Sequence, residues 1–129
     1  TILRSCICFD FSDIVLIDSD IDYFDPRCIR ASMGSIFHCH IQRYQTLSSY
    51  LEQYPFQHLY PFTASGKREL SDVLFEEPYS LLISRDYRAL DECYPEEGIC
   101  LDHHDPDEIS LSIRSSIILE KAYDLKRRR

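Results

Sequence analysis

The strongest constraint in this chain is a pair of short, nearly unbroken apolar runs: DIVLI at 13–17 and YSLLIS at 79–84. Both are short for a helix, and their apolar residues stand at successive rather than alternate positions. That pattern belongs to strands covered on both faces, as in a parallel sheet flanked by helices. HCHIQRY, HLYPFTA and GICLD supply further strand candidates. Parallel neighbours cannot be joined by a tight turn, so helical segments have to separate them.

Such segments are present. TILRSCICF reads as a short helix with Ile2, Leu3, Cys6 and Ile7 on one side. Asp25 and Pro26 form a helix start, the carboxylate as N-cap and the ring in the first turn. The helix they open is expected to run through RCIRASMGSIF. Thr46 opens another over TLSSYLEQY, which stops near Pro55. A short helix is expected at ELSDVLF and a helical turn within RDYRALDECY. The last segment, DEISLSIRSSIILEKAYDLKRR, carries Ile109, Ile113 and Ile117 at helical spacing. Strands alternating with helices make this an α/β fold with a parallel sheet. No repeat or linker divides residues 1–129, which read as one domain. Ligands of such sheets sit beyond the carboxyl ends of the strands, here the loops after Ile17, Tyr44, Ile83 and Leu101.

Charge by itself points to no nucleic-acid partner. A net charge of −8 leaves no overall electrostatic footprint for a phosphate backbone. Basic residues cluster only at GKR, RDYR and KRRR, and each cluster alone reads as a solvated face or tail. No apolar run approaches the roughly 20 residues that span a bilayer, and no small-residue cleavage site follows TILRSCICFDF, so neither a membrane span nor a signal peptide is expected. The six cysteines (Cys6, Cys8, Cys28, Cys39, Cys93, Cys100) include no C-x-x-C pair and sit mostly in apolar segments. Buried free thiols in a cytoplasmic protein are expected, rather than disulfides or structural zinc.

Three stretches, in order, resemble the catalytic domain of the SpoU (TrmH-like) RNA ribose methyltransferases of the SPOUT superfamily. TILR followed by FSDIVLI resembles the end of the family's first motif, a helix bearing an Arg and then a strand. DPRCIRASMGSIFHCHI resembles the family stretch D-P-x-x-x-R-A-S-M-G-A-x-F with its following strand. ICLDHHDPDEISLSIRSSIILEKAY has the layout of the third motif: strand, polar loop, long helix. The resemblance implies a trefoil-knotted α/β fold, S-adenosylmethionine (AdoMet) held in the knot loops, and a homodimer. The implied reaction is methyl transfer to a ribose 2′-hydroxyl of tRNA or rRNA. It also implies that the family's first strand and its Asn-x-Gly precede Thr1.

The same resemblance assigns residues. Arg4 takes the place of the motif-one Arg, beside the attacking hydroxyl and the RNA phosphate. The family's S-L-N-V-S matches Glu108 to Ser112, which puts Ser110 at the Asn position, keeps Ser112, and places both among the catalytic residues. AdoMet contacts fall on Ile83, Ser84, Asp86 and Leu90 around the second motif, on Ile99 and Leu101 in the strand after it, and on Ile109. Where the family has a glycine-rich G-N-E-G-x-G-L loop, this chain has SRDYRALDE, from Ser84 to Glu92, without a glycine. Gly34 reads as a packing glycine that permits close approach of its helix. A lone glycine there is no nucleotide fingerprint.

Two other clusters are weaker. DHHDPDE, 102–108, stacks carboxylates and imidazoles but lacks regular ligand spacing; it reads as an acidic helix start, so no metal is expected. Cys39 lies between His38 and His40, whose side chains point to the opposite face of a strand. Two functions stay open: an RNA 2′-O-methyltransferase, or a SpoU-like dimerisation and interaction module without cofactor chemistry. An uncovered Ile109–Ile113–Ile117 face is expected in so short a chain and calls for a second copy.

Overall fold

A computed structural model describes residues 2–17, 25–27, 30, 33–85, 88–101 and 110–128. Two compact units emerge, Thr1–Pro55 and Phe56–Arg129.

The first unit begins with helix α1 (Ile2–Cys8), whose Cys6 is buried. Asp10, at φ 65°, turns the chain, and the Phe11 amide closes onto the Cys6 carbonyl at 2.7 Å. Strand β1 (Asp13–Ile17) then pairs in parallel with β2 (His40–Tyr44), Asp13 opposite His40 and Ile17 opposite Tyr44. In the connection, Pro26 and Arg27 are helical, and the Asp25 carboxylate accepts from the Arg27 amide at 2.8 Å. The Arg27 guanidinium also holds that carboxyl below its ordinary pKa, reinforced by the Arg27 amide.

The helix expected through RCIRASMGSIF ends sooner. Met33 and Gly34 both take positive φ, 52° and 84°, and a 3-10 helix follows at Ser35–His38, burying Ile36. A Cβ on Gly34 would meet nothing within 4 Å. Gly34 is therefore not a packing glycine: it supplies the left-handed backbone that stops the helix, which costs other residues steric strain. Helix α2 (Leu47–Gln53) is capped by Thr46 Oγ1, which accepts from the Ser49 amide at 3.1 Å. Its buried Tyr50 stands edge-on to Tyr44, ring centres 5.5 Å apart.

In the second unit β3 (His58–Pro61) pairs in parallel with β5 (Tyr79–Leu82), and β4 (Arg68–Glu69) with β6 (Ile99–Cys100). A parallel bridge between Phe62 and Ile99 joins the pairs, so the strands lie side by side as β5-β3-β6-β4. The sheet is stepped, since β6 starts where β3 ends. His58 and Phe62 donate towards β5, to the Pro78 and Leu82 carbonyls at 2.9 and 3.0 Å. Pro61, one residue out of phase, turns its donor-less nitrogen away from β5, which lets a proline sit inside a strand. The helix expected at ELSDVLF is replaced by β4 and a 3-10 turn at Leu70–Asp72. Backbone pairing with β6 claims Arg68 and Glu69 before a helix can start.

Helix α3 (Ala89–Cys93) is short, and α4 (Leu111–Arg127) is the longest element. The buried face of α4 is Arg114, Ser115, Ile118, Leu119 and Ala122, against a core that includes fully buried Ile99. Ile113 and Ile117 are left 57% and 42% exposed, the uncovered apolar stripe that the repeat implied. The cysteines depart from expectation. Among those described, all are free, but Cys6 alone is buried and Cys8 and Cys93 are exposed, because short amphipathic helices turn part of their circumference to water. No described helix is long and apolar enough to cross a membrane.

Candidate functional site

Parallel strands put their carboxyl ends at one edge of a sheet, where the chain leaves as loops and backbone groups lose their ladder partners. In the second unit this edge is formed after β3, β5 and β6. After β3 the chain bends sharply: the Thr63 amide donates to the Ile99 carbonyl at 2.9 Å, and Gly66 crosses Gly98. A Cβ on Gly66 would lie 2.6 Å from the Gly98 carbonyl carbon and oxygen, and one on Gly98 would lie 2.4 Å from Thr63 Oγ1. The two backbones therefore touch, and only glycine admits the contact.

The loop after β5 is fastened to this crossing. Asp91 of α3 accepts the Ser65 amide on both carboxylate oxygens, at 2.9 and 3.2 Å. From the other side, Arg114 of α4 donates through Nη2 to the Ser84 carbonyl. Two hydroxyls of this unit, Thr63 Oγ1 and Ser115 Oγ, are buried and find no hydrogen-bond partner among the described residues. A buried polar atom without a partner is costly, and Thr63 stands at the end of β3 where ligands of such sheets lie.

Of the residues assigned from sequence, Ile83, Ser84 and Leu90 are half-buried along the β5 loop. Ile99 and Leu101 are buried, so their side chains build the edge from beneath. Ser110 caps α4, its Oγ accepting from the Ile113 amide at 3.3 Å. Ser112, in the first turn, is half-buried, and its carbonyl accepts from Ser116 Oγ at 2.9 Å. Arg4 is exposed on α1 of the first unit. Asp86, Ile109 and the DHHDPDE tract lie outside the described residues. Burial raises the Cys39 thiol above its ordinary range, which argues against a nucleophile there.

Sequence reasoning passed over Thr63, Asp91 and Arg114. The rule that found the other loops also covers Thr63, but Pro61 disguises β3 as an extended piece. Nothing local marks Arg114, a single charged residue between Ile113 and Ser115. Acidic and backbone neighbours also absorb basic residues that looked free. Lys67 meets Glu96 at 2.8 Å, Arg68 donates to the Glu97 carbonyl at 2.9 Å, and Arg127 and Arg128 both reach Asp124.

Comparison with known proteins agrees on the fold. The model of the SpoU rRNA methylase family matches residues 1–90. The SpoU methyltransferase AviRb from Streptomyces viridochromogenes, solved with AdoMet, superposes with a TM-score of 0.84 at 16% identity, over 99% of this chain and 55% of that one. An rRNA methyltransferase from Sinorhizobium meliloti gives 0.79 at 20% identity, over 95% of this chain and 49% of that one. A structure bearing on 2-OH methylation of C/U34 on tRNA gives 0.82 at 16% identity, over 99% and 88%. The chain spans about half the length of the first two. No curated protein sequence matches it. The parallel-stranded, knotted α/β fold of these methyltransferases is thus the fold of this chain.

Proposed function

The chain belongs to the SpoU rRNA methylase family, and on that premise we propose that it methylates a ribose 2′-hydroxyl of tRNA or rRNA with AdoMet. The observation that carries the reading is the polar edge of the second unit, where Thr63, Ser84, Asp91 and Arg114 converge from two loops, α3 and α4. AdoMet is the cofactor of the family, and the residues at this edge fit it. The buried hydroxyl of Thr63 awaits a polar group. Half-buried Ile83 and Leu90 offer apolar surface for a flat ring, while Ser84, Asp86, Ile99, Leu101 and Ile109 complete the proposed contacts.

When bound, AdoMet supplies an electrophilic methyl group on a sulfonium. A ribose hydroxyl is a weak nucleophile, so the protein's share is alignment of the attacking oxygen and management of its proton. Arg4 is the proposed residue at that oxygen and at the neighbouring phosphate, since its guanidinium is exposed and offers a planar fork of donors to a polyanion. Ser110 and Ser112 are the other residues proposed to take part in catalysis. The Ser110 oxygen accepts a bond from Ile113, which leaves its hydroxyl proton to donate.

The uncovered Ile113 and Ile117 stripe supports a homodimer, and residues 1–129 are proposed to act as one SpoU-like domain in the cytoplasm. The glycine-free Ser84–Glu92 loop favours a second reading, a dimerisation module without cofactor chemistry. Calorimetric titration of AdoMet decides between them. Saturable binding, with RNA methylation that Arg4→Ala lowers by about 10²-fold, supports the enzyme; no binding at millimolar AdoMet leaves the module. In either case Ile113→Glu should convert the dimer to monomer by light scattering.

A further inference from the structure

Among the described residues of the second unit, Arg114 is the one charged side chain that is buried, with 4% of its surface exposed. A buried guanidinium is expensive unless its protons are met, and an apolar residue of similar size commonly packs as well. Its presence in the core face of α4 therefore asks for a reason other than stability. Its visible bond goes to the Ser84 carbonyl, two residues beyond the last residue of β5 and at the start of the loop that has no glycine.

The two observations meet at that carbonyl. A loop that approaches a ligand through backbone groups usually relies on glycines to set its course. Ser84–Glu92 has none, so side-chain bonds have to fix its ends. Near its far end Asp91 ties it to the Ser65 amide. At its near end the donor is Arg114, whose planar head is always protonated and whose stem is held on a long helix.

We propose that Arg114 is a positioning residue: from α4 it clamps the Ser84 carbonyl and so fixes the start of the glycine-free segment at the cofactor edge. It replaces by a fixed donor what glycine would supply by backbone freedom. The identity of the ligand rests on the methyltransferase reading; the clamp does not.

The test uses Arg114→Ala and Arg114→Lys in the full chain, with two readouts. The first is tryptic cleavage after Arg85 and Arg88, both exposed in this loop. The second is AdoMet affinity by calorimetry. Arg114→Ala should be cut at these sites about 10-fold faster and bind AdoMet about 10-fold more weakly, with Arg114→Lys in between. Millimolar guanidinium ion should restore both in Arg114→Ala and change neither in the parent, which a merely structural role would not produce. Where Arg114→Ala fails to fold, Arg114→Lys carries the same comparison. Variants with parental cleavage and affinity overturn the clamp. Faster cleavage in a protein that never binds AdoMet keeps the clamp and removes the methyltransferase reading.

Discussion

In the first unit Gly34 takes φ 84° in open space, with nothing within 4 Å of where a Cβ would lie. In the second unit Gly98 has no such backbone, yet a Cβ there would sit 2.4 Å from Thr63 Oγ1. Gly34 answers a demand of its own dihedral angles: it ends a helix and begins a 3-10 turn. Gly98 answers a neighbour 35 positions earlier in the chain, because the loop after β3 is folded onto the turn before β6. A glycine required by its own backbone and one required by packing look alike in a sequence, yet they differ in cost and in what can replace them.

Gly98→Ala should show the larger effect. The new methyl group has to displace Thr63 and the backbone beside it, at a cost of about 3 kcal/mol in urea denaturation. Gly34→Ala meets no atom and pays only the strain of a left-handed backbone, about 1 kcal/mol, and Gly34→Asn should recover part of that because Asn tolerates this region best among other residues. Equal losses for the two alanine variants would break the distinction. A separate contrast concerns the thiols of the two units. Burial, with Cys39 nearby, pushes the Cys6 thiol up to about 11, whereas Cys93 is exposed. A raised pKa delays thiolate formation as pH rises, so at pH 8 Cys6 should alkylate about 10²-fold more slowly than Cys93. Its rate should keep climbing to about pH 11. Comparable rates at pH 8, followed by mass spectrometry, would show that the first unit does not close around Cys6.

Much of the fold was legible because its signals are local. The apolar runs at 13–17 and 79–84 became β1 and β5, and Thr46 and Asp25 bond the amides their positions implied. The stripe of Ile113 and Ile117 was readable as uncovered from its period and from the shortness of the chain. The misreadings came where two local signals compete. ELSDVLF has a helical pattern, but β6 captures its first residue, Glu69, by backbone pairing. RASMG looks helical until Gly34 takes the conformation that ends the helix.

The candidate site divides in the same way. Ser84, Leu90 and Ser110 could be named from strand ends, motif order and a helix cap, all properties of neighbouring residues. Thr63 against Gly98, Asp91 on the Ser65 amide and Arg114 on the Ser84 carbonyl join residues 26 to 35 positions apart. No periodicity or cap foreshadows such pairs. They exist because parallel strands bring the ends of distant segments to one edge, where Asp91 and Arg114 meet backbone groups far off in the sequence.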